Sequence, residues 1–573
     1  MPLTTLSCSA QPHDPTISQR HRLHGERARH LDLCAPNALA MFEQIVEANP
    51  DVTLVRYFGR SLSVSEVDQL SDAASCALAA HGVTRGARVG LILQNVPEVI
   101  IAILAAWKLG AIIVPINPMY RARELETILN DAGVDVVVAG EECAANIPAT
   151  TAAGAQRTII TCSAEHFAGN RFPHEILGFQ ASSRSGFAAA ISLYDLIDQY
   201  AGQKRAPVIL EPDDIAFLTY TSGTTGPPKG ALNRHRNVVF SAQTYRDWIG
   251  IDGHDVILGI APLFHITGLI AHVAEALLTG ATLLLAYRFD ALTVLDLIEA
   301  ERPTYTVAAI TALMALVSHP DAGGRDLTSL IKIYSGGQAV SATAASTIEQ
   351  RLGVPLHIAY GMTETTSPSH LVPFGVHPPA DPETGALSVG IPVFDTSAVV
   401  LGEDDEVLQP GAMGEIAVKG PQVVPGYWEK PSESKTAFTA DGLIRTGDIG
   451  YMNGEGWFFV IDRKKDLINA SGYKVWPREV EDVLCQHPDV VEAAVVGVSD
   501  NYRGETVKAF VSLTAASNAT ANDLIAFCRD SLAPYKCPRL LTILDEIPKN
   551  AAGKILRRVL RDSENAKADS APG

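Results

Sequence analysis

From Arg88 onward the chain alternates long apolar runs with stretches of mixed polarity. "RVGLIL", "VPEVIIAILAAWKLG" and "AIIVPINP" read strand, helix, strand, and "ELETILNDAG" with "VDVVVAG" repeats the unit. Short runs of Val, Ile and Leu without a polar alternate position mark strands covered on both faces, as in parallel sheets joined by helices. The texture returns at "ATLLLAYRFD", "LDLIEAERPTYTVAAI" and "LIKIYSGG". The expected class is α/β, with no short fixed repeat of the solenoid kind.

The pattern changes near residue 460. "GWFFVIDRKKDLINASGYKV" puts a strand before a charged cluster, and "PREVEDVLCQHPDV", "VEAAVVGVSD", "ETVKAFVSL" and "NDLIAFCRDSL" suggest a small α+β unit. The expected division is a leader over residues 1–35, a large N-terminal domain with mixed, mainly parallel sheets over 36–461, and a small C-terminal domain over 462–573, with the boundary at Asp462. The polar end "SENAKADSAPG" reads as frayed.

Composition narrows the class. With 573 residues, 47% hydrophobic and 19% charged, the chain has the makings of several packed cores. A formal net charge of -19 argues against a general nucleic-acid partner. "VIIAILAAW" stops at Lys108, short of the roughly 18 to 20 apolar residues a bilayer requires. Arg20, Arg22, Arg27 and Arg29 give the leader a basic cast without the apolar core of a secretory signal; a solvated leader is the preferred reading over a transit peptide, given Asp14 and Glu26. Eight scattered cysteines without a C-x-x-C pair suit a reducing, cytoplasmic location.

The chemistry is concentrated in "YTSGTTGPPKG", Tyr220 to Gly230, directly after the apolar "IAFL". Glycines permit close backbone approach, and hydroxyls, backbone N–H groups and Lys229 could wrap a polyphosphate. The loop departs from the G-x-x-x-x-G-K-[ST] pattern, since Gly230 follows the lysine. Taken alone it is more readily a surface turn.

Four further stretches come in order: "PLFH" at 262–265, "YGMTET" at 360–365, "TGD" at 446–448 and "PKNAAGKILRR" at 548–558. With the opening loop and "DRKKDLINASGYKV" they resemble the adenylate-forming enzymes, namely acyl-CoA synthetases, peptide-synthetase adenylation domains and luciferases, over residues 40 to 562. The resemblance is greatest to fatty-acid–CoA ligases. It implies a two-step ligase using ATP, Mg2+ and coenzyme A. A carboxylic acid and ATP give acyl-AMP and pyrophosphate, and a thiol then displaces AMP.

The resemblance also implies residue roles. Thr221, Ser222, Gly223, Thr224, Thr225, Gly226 and Lys229 would cradle phosphates; Gly336 and Gly337 would let adenine approach the backbone. Tyr360 would lie on the adenine face, Thr363 would reach the α-phosphate, and Glu364 would hold magnesium. Asp448 would accept from both ribose hydroxyls, and Arg463 would contact the same side of the nucleotide. His265 would sit beside the acyl carboxylate. Lys554 would neutralise the α-phosphate and acyl oxygens. A mobile C-terminal domain would turn about Asp462 and bring the loop around Gly472 to the pantetheine path. Read singly, Glu364 is a helix-terminal acid, Asp448 a turn residue, His265 a core histidine and Lys554 a solvated lysine.

Short-chain relatives close the acyl pocket with a tryptophan where this chain has Gly361. The segments expected to line the tail, "HITGLIAHVAEALLTG" and "TVAAITALMALV", are largely apolar. The first-choice substrate is a medium- or long-chain fatty acid, and the alternative an aryl acid of the benzoate or cinnamate type. An enzyme charging a carrier protein and a non-catalytic nucleotide-binding protein stand further back. The expected partners are small molecules, with peripheral membrane contact and a homodimer left open.

Overall fold

The computed structural model describes residues 30–569 apart from 174, 177–189, 222–227, 382–384, 471–472, 501–503, 515–516 and 550–553. The apolar blocks form the expected elements. Arg88–Ile92, Ile112–Pro115 and Val136–Gly140 are parallel strands, with helices Pro97–Trp107 and Ala122–Asp131 between them. Pro97 opens its helix, where the missing N–H would have had no partner. Every residue of that helix is buried, so its uniform apolarity reflects packing on all sides.

These strands belong to a seven-stranded sheet that ends in an antiparallel hairpin, Ile215–Thr221 with Lys229–Arg234. A nine-stranded sheet holds a parallel centre: Leu356–Met362, Lys332–Gly336, Tyr305–Ala308, Val256–Gly259, Thr282–Leu285 and Thr53–Tyr57 lie side by side in that order. Antiparallel strands close both edges. A four-stranded antiparallel sheet follows, from Ser397–Leu401 to Phe458–Arg463.

The small C-terminal unit pairs Val490–Asp500 with Gly504–Leu513 and adds Leu540–Ile543 in parallel. It has a core of its own, in which Ile468, Val480, Leu484, Val495, Val507, Leu524 and Cys528 are buried. A second apolar cluster on this unit unites Val496, Val498 and Phe510 with Ile547 and Leu560.

Two expectations are corrected. The leader does not extend to residue 35 as a free segment. The Leu31 N–H donates to Asp395, the Cys34 N–H donates to Gln243, and Ala35 is buried. The tail is ordered further than its composition suggests, because helix Arg557–Asp569 includes all of "SENAKAD". Its anchor is Leu560, which is buried. Among the described residues no helix is long and apolar enough to cross a membrane. The seven described cysteines are unpaired.

Candidate active site

The loop 222–227, with Ser222, Gly223, Thr224, Thr225 and Gly226, lies outside the described residues, but both its ends are fixed. Thr221 faces Lys229 across the hairpin, and its hydroxyl donates to the Lys229 carbonyl at 3.5 Å. The Lys229 ammonium lies 5.4 Å from the centre of the Tyr427 ring. Tyr427 donates its hydroxyl to Glu364 Oε1 at 2.7 Å. Burial raises the Glu364 carboxyl above its ordinary range; the Tyr427 hydrogen bond and the charges of Arg463 and Lys229 oppose that rise.

Tyr427 is held by backbone as well as by its hydroxyl. The Trp428 N–H donates to the Gly230 carbonyl and the Leu232 N–H to the Gly426 carbonyl, so residues 426–428 line the second strand of the hairpin. The sequence reading missed Tyr427. The available signal was an aromatic pair after Pro425-Gly426 in an otherwise loop-like stretch.

The turn Thr363–Thr365 is clamped from the same hairpin. Asn233, fully buried, donates to the Thr363 carbonyl and to the Thr366 hydroxyl, each at 3.0 Å. Thr366 takes φ 45° and Ser367 φ 84°, left-handed values that a β-branched residue adopts only when its surroundings enforce them. The turn that presents Thr363 and Glu364 is therefore a strained segment fastened by a buried amide.

A second cluster adjoins the first. Tyr360 donates its hydroxyl to Asp448 Oδ2 at 2.6 Å, and Arg463 Nε donates to Asp448 Oδ1 at 2.7 Å. Asp448 and Arg463 are opposite one another in the antiparallel ladder, which sets that ion pair. Both carboxylate oxygens expected to meet a ribose diol are thus already engaged. Each keeps a second lone pair, so hydroxyl donors are still admitted.

Lys554 arrives from the small domain. Its ammonium is held down to about 8, first by the Arg463 charge, then by burial, with Asp448 acting against both. Lys465 and Arg557 add to the positive surroundings. The Arg463 charge bears on both Glu364 and Lys554, which links the two clusters electrostatically.

The other expected residues sit around it. Gly336 ends its strand, and a Cβ there would come 2.9 Å from the Ala359 carbonyl. Gly337 has φ 84° with open space where a side chain would stand. His265 is half-buried and leads into a helix with a π-helical turn at Leu269–Ala274; its Nε2 is buried without a hydrogen-bond partner. Burial lowers the imidazole to about 4, so it is neutral near pH 7. Asn95 fixes the preceding loop by donating to the Gly259 and Ala261 carbonyls and accepting from the Leu263 N–H.

Gly361 requires a correction. It lies at an irregularity of the antiparallel pair, opposite Pro368, and a Cβ there would collide with the Ser367 carbonyl. Its glycine is a backbone requirement of the strained turn, so no side chain enters a pocket from this position without moving the neighbouring strand. Asp462 is buried within strand Phe458–Arg463, and its oxygens accept from the Arg463 and Arg478 N–H groups. Desolvation raises its carboxyl to about 6. Gly472 lies outside the described residues.

The profile of the AMP-binding enzyme family matches residues 42–428, and that of the AMP-binding enzyme C-terminal domain matches 479–554. A long-chain-fatty-acid–CoA ligase of Bacillus subtilis is 36% identical over 529 residues, covering 90% of this chain and 92% of its own. An indoleacetate–CoA ligase of Aromatoleum aromaticum is 33% identical over 513 residues, covering 89% and 95%. The ATP-bound crystal structure of MatB from Rhodopseudomonas palustris superposes with a TM-score of 0.79 at 26% identity, covering 92% of this chain and 99% of that one.

Proposed function

The chain belongs to the AMP-binding enzyme family, and from that premise we propose an AMP-forming acyl-CoA ligase acting on a medium- or long-chain fatty acid. The observation that carries the reading is the Asp448 carboxylate held between the Tyr360 hydroxyl and the Arg463 guanidinium, with the charges of Arg463 and Lys229 bearing on buried Glu364 and those of Arg463 and Asp448 on Lys554. Such a site collects cations around two buried carboxylates, an arrangement suited to polyphosphate and its counter-ion.

In the first step an acid oxygen attacks the α-phosphorus of ATP and pyrophosphate leaves. Two anions must approach, so fixed positive charge is the main requirement. Lys229 stands at the mouth of the loop expected to hold the leaving phosphates, and Lys554 opposes charge on the α-phosphate and acyl oxygens. Asp448 and Tyr360 hold the nucleoside. His265, neutral, offers a hydrogen bond beside the acid without adding charge.

Glu364 fits a magnesium site of the kind completed by substrate phosphates and water: one oxygen is engaged by Tyr427, and the carboxylate is single rather than part of a protein cage. The ion would supply neutralisation of phosphate charge there. In the second step the coenzyme A sulfur bonds to the acyl carbon, the bond to AMP breaks, and the thiol proton is lost.

Identity to the fatty-acid ligase and the apolar run of Ile266–Thr279 support an aliphatic acid. An aryl acid is the second reading. The buried His265 Nε2 and His272 Nδ1 have no partner on this run, and these nitrogens suit a shorter substrate with hydrogen-bonding groups. The test is product analysis with ATP, magnesium and a panel of aliphatic and aromatic acids, with and without coenzyme A. AMP, pyrophosphate and a thioester are expected, with the highest kcat/KM on aliphatic acids. ADP and orthophosphate as primary products would sink the mechanism, and preference for aromatic acids would select the second reading.

A further inference from the structure

Lys554 immediately precedes a bridged stretch that leads into the terminal helix. Lys549 and Ile555 form an isolated antiparallel bridge, and the Leu556 N–H donates to the Pro548 carbonyl at 2.8 Å. The apolar contacts of Ile547, Ile555 and Leu560 hold the region to the small domain, but such contacts have little directional force. A lysine on a four-carbon stem needs a better-defined base if its ammonium is to meet one oxygen.

Arg557, three residues on, supplies a directional contact. Its Nη2 donates to Glu481 Oε2 at 2.6 Å and its Nε to Glu481 Oε1 at 3.2 Å, a forked pair. Glu481 is buried on helix Pro477–Leu484, and its Oε1 also accepts from the Val495 N–H at 2.7 Å. Asp466 stands 3.7 Å from Arg557 and 3.6 Å from Arg561. A connected series therefore runs from strand Val490–Asp500 through Glu481 to Arg557, three residues from Lys554.

We propose that Arg557 is a positioning residue for Lys554: its fork on Glu481 sets where residues 554–557 sit against the small domain. This rests on the reading that Lys554 serves adenylation. The charged groups around that ammonium are Arg463 and Asp448 from the four-stranded sheet, Lys465 beyond it and Arg557 from the terminal helix. Arg463, Lys465 and Arg557 lower its proton affinity, and Asp448 raises it. A purely structural ion pair would instead support the whole domain and both half-reactions alike.

The experiment compares R557Q, R557K, E481Q and K554A in two half-reactions: pyrophosphate release from acid and ATP, and thioester formation from supplied acyl-AMP and coenzyme A. In R557Q, adenylation kcat is expected to fall about 100-fold, the scale of a misplaced reacting group. Thioester formation should stay near the wild-type rate. The alkaline limb of adenylation kcat/KM should move up in pH, because one cation that favours the neutral amine is gone.

E481Q should lose adenylation similarly without that upward movement, since Arg557 keeps its charge. R557K should restore the limb position but little of the rate, because an ammonium cannot replace the fork. R557K carries the test if R557Q does not fold. Equal loss of both half-reactions, an unmoved limb in folded R557Q, or full adenylation in R557Q beside a crippled K554A would each overturn the role of Arg557. Full adenylation in K554A would remove the premise itself.

Discussion

At the scale of single residues, burial and neighbouring charges hold groups of the proposed site away from their ordinary proton affinities. Glu364 is pushed up by burial and pulled back by Tyr427. If the ionised carboxylate is the working form, activity appears as pH rises through its pKa. Tyr427→Phe removes a downward influence, so the acid limb of kcat/KM for ATP should move to higher pH, with a raised magnesium requirement. An unmoved limb with wild-type magnesium dependence would remove Tyr427 from the site. Gly361 gives a stability prediction. Gly361→Ala should cost about 1–3 kcal/mol, the usual range for overpacking, and lower the melting temperature. A variant as stable as wild type would show that the strand beside Ser367 yields freely.

Among secondary-structure elements, what the sequence revealed depended on periodicity. Continuous apolar runs such as "VDVVVAG" have few alternatives to a buried strand, and the parallel units emerged where expected. The four-stranded antiparallel sheet was not visible. Its strands are partly exposed and broken by register shifts, as at Glu415/Ala417 and Ile449/Gly450, so no clean alternation survives. The extension of helix Arg557–Asp569 through the polar end was hidden because tertiary anchors such as Leu560 offset its composition. The motifs led to Tyr360, Glu364, Asp448, Arg463 and Lys554, yet they could not disclose Tyr427 or Asn233, whose importance comes from contacts between distant segments. Asn233 joins the hairpin to the strained turn. Asn233→Ala should destabilise the fold by about 1–3 kcal/mol, as expected for buried groups left without partners. It should also raise KM for ATP more than KM for the acid, and equal effects on both would confine Asn233 to a general packing role.

For the whole molecule, two domains have separate cores, and the proposed site takes its lysine from the smaller one. The proposed turn about Asp462 would release that lysine after adenylation. Because Asp462 lies in a strand and accepts two backbone N–H bonds, Asp462→Pro disturbs more than rotation, and Asp462→Asn serves as its control. Asp462→Pro should slow thioester formation more than adenylation, with Asp462→Asn close to wild type in both; equal losses in both half-reactions would remove the hinge. The central claim, that this lysine serves adenylation and then leaves, is tested most directly by single-turnover rates of Lys554→Ala. The account predicts adenylation slowed by about 100-fold or more, the order expected when a desolvated charge opposite a developing anion is removed. It predicts conversion of supplied acyl-AMP and coenzyme A to thioester near the wild-type rate. Equal slowing of the two half-reactions in the folded variant would contradict it and leave Lys554 a fixed part of one static site.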